Sequence, residues 1–371
     1  MKPNLRFKNF DNEWEETELK NITSEIAYGM NSASKEYDGE NKYIRITDID
    51  ENSNRYSNKD VVSPDGILED KFLVKENDIL FARTGASTGK TYLYNSNDGK
   101  LYYAGFLIKA NIINHNSNFI FQQTKLNKYN NWIKIMSMRS GQPGINSREY
   151  GRYKFSITNI DEENKISNFL SLLDKKIELQ SKKIEDLKLF KKGLSYKIFS
   201  TLDVDKEEKL GNICNITTGK LDANAMVENG QYRFYTCAKD YYYIDKYAFD
   251  TEALLISGNG AYVGYIHYYK GKFNAYQRTY VLDQFTENIH YIKVYLDEFL
   301  PKRINSEKKE GNTPYIVLST LSDMMIKLTN SKDENKVINT FNNIKNKIDK
   351  EELKLNKLIE LKKGLMQNMF V

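Results

Sequence analysis

The sequence predicts an α+β protein: two globular domains of mixed strands and helices, each followed by a long α-helix, the two helices packing as an antiparallel coiled coil with pseudo-two-fold symmetry. Three observations lead there. A coiled-coil apolar pattern runs through residues 162–199. The same pattern returns 171 residues later. The segments in front of the two copies carry matching glycine turns and loops.

In the first copy Ile166, Leu170, Leu173, Ile177, Ile184, Leu187, Leu194 and Ile198 fall at alternating steps of four and three, with polar breaks at Gln180 and Lys191. That 3.5-residue period belongs to a helix laid along another helix. The second copy is Val337, Phe341, Ile344, Ile348, Leu355, Leu358, Leu365 and Met369, broken at Glu351 and Lys362. The tetrapeptide Lys191-Lys192-Gly193-Leu194 also recurs as Lys362-Lys363-Gly364-Leu365. Two unrelated amphipathic helices would not share their breaks, so the chain is an internal duplication. A helix of about 38 residues spans roughly 57 Å. Each has one apolar seam, and its nearest partner is the other copy. Matching polar breaks suit a fixed register. Further apolar residues, Phe169, Leu179, Leu189 and Phe199, are expected either to meet helices of a partner or to complete the chain's own core.

The expected domains are therefore a first globular domain at 1–158, a first spacer helix at 159–200, a second globular domain at 201–331 and a second spacer helix at 332–371. Within the first, Phe7, Phe10 and Trp14 anchor the amino end. Strands are expected at 43–49, 78–83, 101–113 and 153–157, a helix at 118–135, and a loop at 140–147. Residues 200–209 read as a polar linker. The second domain repeats the scaffold: 79–89 matches 254–264 with both glycines and the alanine kept, 118–135 matches 288–300, and the loop 140–145 matches 310–316.

Composition is that of an ordinary water-exposed chain, 40% hydrophobic and 28% charged over 371 residues, with a mild net charge of +5. No run of 18 apolar residues implies a membrane span, and the opening Met1–Arg6 lacks the apolar stretch of a signal peptide. Two cysteines, Cys214 and Cys237, make no disulfide framework, so a reducing cytoplasm is expected. The charge permits nucleic-acid binding without arguing for it alone.

Catalytic motifs are near misses. Residues 85–91, Gly-Ala-Ser-Thr-Gly-Lys-Thr, resemble a phosphate-binding loop, but that motif needs four residues between its glycines and here there are three. A tight strand-to-strand turn is the better reading. Asn312-Thr313-Pro314-Tyr315 falls one proline short of the amino-methyltransferase motif, with no cofactor loop upstream. His115, His267 and His290 have no metal spacing. No catalytic, metal or cofactor-binding residue is assigned. The informative chemistry is basic. Between residues 125 and 154, Lys125, Lys128, Lys134, Arg139, Arg148, Arg152 and Lys154 face the single acid Glu149, with Trp132, Tyr150 and Tyr153 interleaved. Such a window suits phosphate contact by the cations and base contact by loop amides.

Taken together, the opening LRFKNFDNEW, the run DILFARTGASTGK, the loop SGQPGI and the helix ending in KKGL resemble the specificity subunits of type I restriction–modification systems. The resemblance implies two target recognition domains, each reading one half of a bipartite, asymmetric site in double-stranded DNA. It implies two methyltransferase subunits and the restriction (translocase and nuclease) subunits as partners. S-adenosylmethionine, ATP and Mg belong to those partners and no cofactor to this chain, which is then not itself an enzyme. Antiparallel spacer helices would place the half-sites about one turn of DNA apart, about 34 Å. The expected contacts lie on turns and loops: Arg83, Thr84, Ser87, Lys90, Arg139, Gln142, Asn146 and Arg148 in the first domain, and Asn259, Tyr262, Gln277, Arg278, Asn312 and Thr313 in the second. The alternatives are a coiled-coil interaction scaffold that binds no DNA, or a stand-alone enzyme whose cofactor loop is absent from the motifs.

Overall fold

The computed structural model describes residues 1–51, 53–138, 144–307 and 315–371. The chain forms two compact units, one of Met1–Gln180 with Lys354–Val371, the other of Ser181–Leu353. Each unit therefore holds one globular domain and a portion of both long helices.

The central sheet of the first unit runs in the order Thr23–Tyr28, Leu107–Ile112, Asp78–Ala82, Thr91–Leu93, antiparallel throughout. Successive side chains of a strand point to opposite faces. Ile79 and Phe81 accordingly enter one core with Trp14, Phe119, Tyr150 and Leu170, while Leu80 and Ala82 enter another with Ile44, Tyr92 and Tyr103. This central strand is covered on both faces, which is why its five residues are all buried.

The second unit repeats the order with Asn215–Thr218, Thr279–Asp283, Phe249–Ser257 and Ile266–Ala275, then extends it by Tyr232–Tyr235 and the edge strand Tyr242–Ile244. Leu254 and Ile256 face the helices; Ala253 and Leu255 face a smaller core with Tyr235 and Phe273. In both units a two-stranded ribbon closes the domain just before its long helix: Glu15–Glu18 with Lys154–Ile157, and Lys206–Lys209 with Met325–Leu328.

The structure differs locally from the expected elements. The segment read as a linker begins with the end of the first long helix, at Thr201, and ends with the strand Lys206–Lys209. That strand is all charge and shows no period; its partner defines it. Of the strand expected at 43–49 only Tyr43 and Ile44 are extended, in the strand Lys42–Ile44, because Asp48 accepts hydrogen bonds from the Arg45 backbone and guanidinium and folds 46–48 into a helical turn. The strand expected at 101–113 breaks into Leu101–Tyr103 and Leu107–Ile112, and the helix at 118–135 into Ser117–Gln123 and Asn127–Ser137.

The long helices are Ile160–Thr201 and Ser331–Met369. Within the first unit they run antiparallel. Trp14 touches both Glu162 near the start of the first helix and Phe370 after the end of the second, and one helical stretch further on Asp174 meets Lys362. Within the second unit Lys188 pairs with Glu352 and Phe199 packs on Phe341 at 5.8 Å, again in opposite directions. Every expected seam residue is buried or half-buried, whereas Leu172, one residue off the seam, is 67% exposed. The polar breaks are paired: Lys362 donates to Asp174 at 2.5 Å, and Lys191 pairs with Glu298 of the helix Ile289–Glu307.

The first long helix starts from a buried charge. Glu162 is fully buried and accepts both guanidinium arms of Arg6 at 2.7 Å, the Trp14 indole N–H at 3.1 Å and the Thr158 hydroxyl at 2.7 Å. Burial raises its pKa, but the hydrogen bonds from Arg6 and Thr158 and the Arg6 charge outweigh that, and the pKa lies below the ordinary value.

Leu170 is fully buried in the first core. Leu170→Ala should cost about 2–5 kcal/mol in urea denaturation, while Leu172→Ala should stay within about 0.5 kcal/mol. The depressed Glu162 pKa gives stability that is present above the unfolded carboxylate value, about 4.3, and lost as pH falls through the folded value. Glu162→Gln should lower the melting temperature at pH 7 and flatten its decline in acid; an unchanged acid profile would remove Glu162 as its source.

Candidate nucleic-acid interface

In each unit a turn between two neighbouring strands of the sheet meets a loop from elsewhere in the chain. In the first unit the strands Asp78–Ala82 and Thr91–Leu93 are joined by a turn. Gly85 and Gly89 sit there at φ +73° and +92°, and a Cβ on Gly89 would lie 2.6 Å from Ile133. Only glycine adopts that backbone without strain. The second unit repeats it: Gly260 and Gly264 have φ +79° and +82°, with Ile304 2.7 Å from where a Gly264 Cβ would stand. The glycines kept between the copies are thus backbone requirements. A strand, not a helix, follows Gly89, so no helix N-terminus lies there to receive a phosphate.

The backbone hydrogen bonds around the two turns correspond one for one. Arg83 N–H donates to Phe106 O and Ile145 N–H to Arg83 O; Gly258 N–H donates to Arg278 O and Ile316 N–H to Gly258 O. Thr84 bridges Gly144, and Asn259 bridges Tyr315. The side chains on this common frame differ. The first rim presents Arg83, stacked 4.8 Å from the Tyr28 ring, and Phe106, which is 63% exposed. The second presents exposed Arg278 and Tyr262, with the Lys239 ammonium 5.4 Å from the Tyr262 ring.

The expected contacts divide accordingly. Arg83, Thr84 and Ser87 lie on the first turn, and Arg148 is exposed on the short helix Ser147–Gly151. Asn146 caps that helix, its side-chain oxygen accepting from Glu149 N–H at 3.0 Å. Lys90 turns inward: its ammonium donates to Ile49 O at 3.1 Å and only 13% of the side chain is exposed. In the second unit Asn259 and Tyr262 lie on the turn, and Gln277 donates to Asp222 at 2.6 Å beside Arg278. Arg139, Gln142, Asn312 and Thr313 lie outside the described residues.

The basic window also separates. Tyr150 and Tyr153 are core residues, with Trp132 packed against them at 5.8 and 4.8 Å, and Lys128 pairs with Glu16. A polar cavity of about 410 Å³ lies behind the first turn, lined by Thr88, Lys90, Thr124 and Lys125 among others. Burial, and then the charge of Lys362, push the Lys125 amine down to about 8. Sequence reasoning missed Tyr28 and Phe106, whose partners arrive from distant strands.

A family model for the type I restriction modification DNA specificity domain matches residues 11–189 and again 204–361. The chain belongs to the type I restriction–modification DNA specificity family. The two matched stretches contain the two rims. A curated relative, the type I restriction enzyme EcoDI specificity subunit of Escherichia coli, is 33% identical over 167 residues, which cover 45% of this chain and 37% of that protein. The chain thus matches little more than a third of that relative's length. Among solved structures, the S subunit of a type I restriction–modification system from M. genitalium superposes with a TM-score of 0.68 at 18% identity, covering 100% of this chain and 99% of the other. A chain from a structure of type I R-M complex assembly and conformational transition gives 0.58 at 14% identity, covering 96% and 97%. These likenesses show the fold.

Among the described residues no group of three or more His, Cys, Asp or Glu could hold a metal, and no helix is long and apolar enough to cross a membrane. Cys214 is buried and Cys237 half-buried, both free thiols.

Lys90→Met should lower the stability of the fold by about 1 kcal/mol, whereas Arg83→Met should leave it unchanged. Equal melting temperatures for both variants would return Lys90 to the list of surface contacts.

Proposed function

We propose that this chain is the DNA-reading subunit of a cytoplasmic type I restriction–modification complex. Each globular domain would read one half of a bipartite, asymmetric site through its turn-and-loop rim. The observation that carries this reading is the rim itself: one backbone frame, built twice, holding unlike side chains. Equal frames suit the same kind of partner approached in the same way. Unlike side chains suit two different sequences.

The expected division of labour follows from side-chain chemistry. Lysines give affinity that falls with salt. Arginine, glutamine and asparagine can pair two donors or acceptors with a base edge. Arg83 and Arg278 are the strongest candidates for such pairing among the described residues, one held on a tyrosine and the other exposed.

Methyltransferase and restriction subunits are the proposed protein partners, and they would carry the S-adenosylmethionine, ATP and Mg chemistry. The long helices support this with apolar side chains their own seam does not use: Leu172 and Leu179 in the first unit, Leu189 and Phe190 in the second, each more than half exposed. Exposed apolar residues at helical spacing suit the helices of a partner. The scaffold alternative shares this feature, so the discriminating measurement is DNA binding.

Methylated adenines mapped in a genome carrying the chain with its partner subunits should fall in one two-part motif. Exchange of residues 1–158 for those of another specificity subunit should change one half of that motif and leave the other intact. Arg83→Ala should weaken binding of the cognate duplex about tenfold, with loss of base preference in one half only. Absence of any salt-sensitive duplex binding by the assembled complex would favour the scaffold.

A further inference from the structure

In the second unit the position of Arg83 is taken by Gly258, which has no side chain to offer. An arginine held on tyrosine nevertheless occurs in that unit, on a different strand. Arg233 lies in Tyr232–Tyr235, between the central sheet and its edge strand Tyr242–Ile244. Its guanidinium sits 4.2 Å from the Tyr241 ring centroid and 4.5 Å from that of Tyr269. One of its nitrogens donates to the Tyr235 hydroxyl at 3.3 Å. Among the described residues no carboxylate forms an ion pair with it, and its side-chain hydrogen-bond partner is a neutral phenol.

Surface arginines in proteins with this many carboxylates ordinarily find one. This one is instead fixed by two aromatic faces and a phenol oxygen. A guanidinium stacked in that way keeps its in-plane N–H groups as a rigid fork, so little side-chain entropy remains to be lost on binding. The ligand that fits such a fork is planar and offers two adjacent acceptors. The major-groove edge of guanine, with O6 and N7, is the nucleic-acid group of that shape.

The surroundings favour DNA over an isolated anion. Tyr241, Tyr242 and Tyr243 are each 37–43% exposed beside the arginine. From Tyr241 a run of rings leads back to the rim: Tyr235 at 6.0 Å, His267 at 5.0 Å from Tyr235, and Tyr265 at 4.8 Å from His267. Tyr265 N–H donates to Tyr262 O, on the turn itself. The run passes through the buried ring of Tyr235, so the arginine and the turn are joined by packing beneath the surface.

We infer that Arg233 is a specificity-determining residue of the second domain, reading a guanine through its guanidinium fork, and that Tyr241 and Tyr269 position it. This rests on the DNA-reading function proposed above. It adds to the turn at 258–264 a contact on Tyr232–Tyr235, the strand next to the sheet's edge, which no turn or loop signal marks.

The test uses the full chain assembled with its partner subunits, in wild type, Arg233→Ala, Arg233→Lys and Arg83→Ala forms. Methylated-adenine motifs are mapped in a host genome, and affinities for the wild-type cognate duplex are measured across a salt series. Both Arg233 variants should relax one G·C position of the motif and weaken cognate binding about tenfold. The relaxed position should lie in the half left intact by Arg83→Ala. Arg233→Lys keeps the charge and stem but not the fork, so its salt dependence should match wild type.

An unchanged motif in both variants overturns the inference. So does a uniform loss of affinity across sequences with a shallower salt slope, which marks a phosphate contact, or unfolding of both variants, which marks a purely structural role. In those cases the wild-type motif would still stand, and the DNA-reading function with it. A wild-type complex that methylates no motif and binds no duplex would remove both.

Discussion

Two helices that cannot bury their seams alone are the constraint on which the rest of the structure depends. Ile166 and Leu170 of the first and Met366 and Met369 of the second lie in one core with Trp14, Phe119 and Tyr150 of the first domain. In the second unit Phe199, Val337 and Phe341 do the same with Leu254, Leu296 and Leu321. The seam is therefore not a rod added to finished domains. It supplies part of each domain's interior, and neither core closes without contributions from both helices. Buried charge sharpens the arrangement. Lys362 is 9% exposed and reaches Asp174 in the first unit. Slipping the helices by one residue would separate that pair, and an uncompensated buried charge costs several kcal/mol. Apolar packing holds the helices together; the paired breaks fix where they meet.

From this follows the placement of the rims. Each domain is closed by a ribbon that joins its first strand to its last, and the last strand runs straight into a long helix. Duplication copied this closure along with the backbone bonds of the rim. What it left free was the side chains standing on the rim, because none of them carries the closure. Phe106 and Arg278 occupy the same place in the two hydrogen-bond frames. A hydrophobic ring and a cation exchange there without strain, since only their carbonyls are engaged. This separates a conserved frame from variable readers by simple mechanics.

The long helices were legible in the sequence because a 3.5-residue period is a local code. Their seam positions are buried or half-buried at every point where the pattern places an apolar residue. The turn glycines were legible for a similar reason, since positive φ restricts the residue type at a single position. Less was legible where a partner defines the element. Lys206–Lys209 has no period of its own and becomes a strand only against Met325–Leu328. Lys90 looked like a turn-tip cation, yet its ammonium is drawn inward by the Ile49 carbonyl, forty-one residues away in the chain. Tyr150 and Tyr153 looked available for stacking and are instead packed around Trp132.

By itself the sequence determined that the chain is doubled, that its two long helices pair, and that glycine turns recur in both domains. These are properties of spacing, and spacing is written along the chain. Tertiary structure alone decided which side chains face outward from the turns, that Arg83 rests on Tyr28, and that Arg233 is held between Tyr241 and Tyr269. Those contacts join residues on or beside separate strands, and no local period encodes which strands become neighbours. That choice was made by burial on both faces of a central strand.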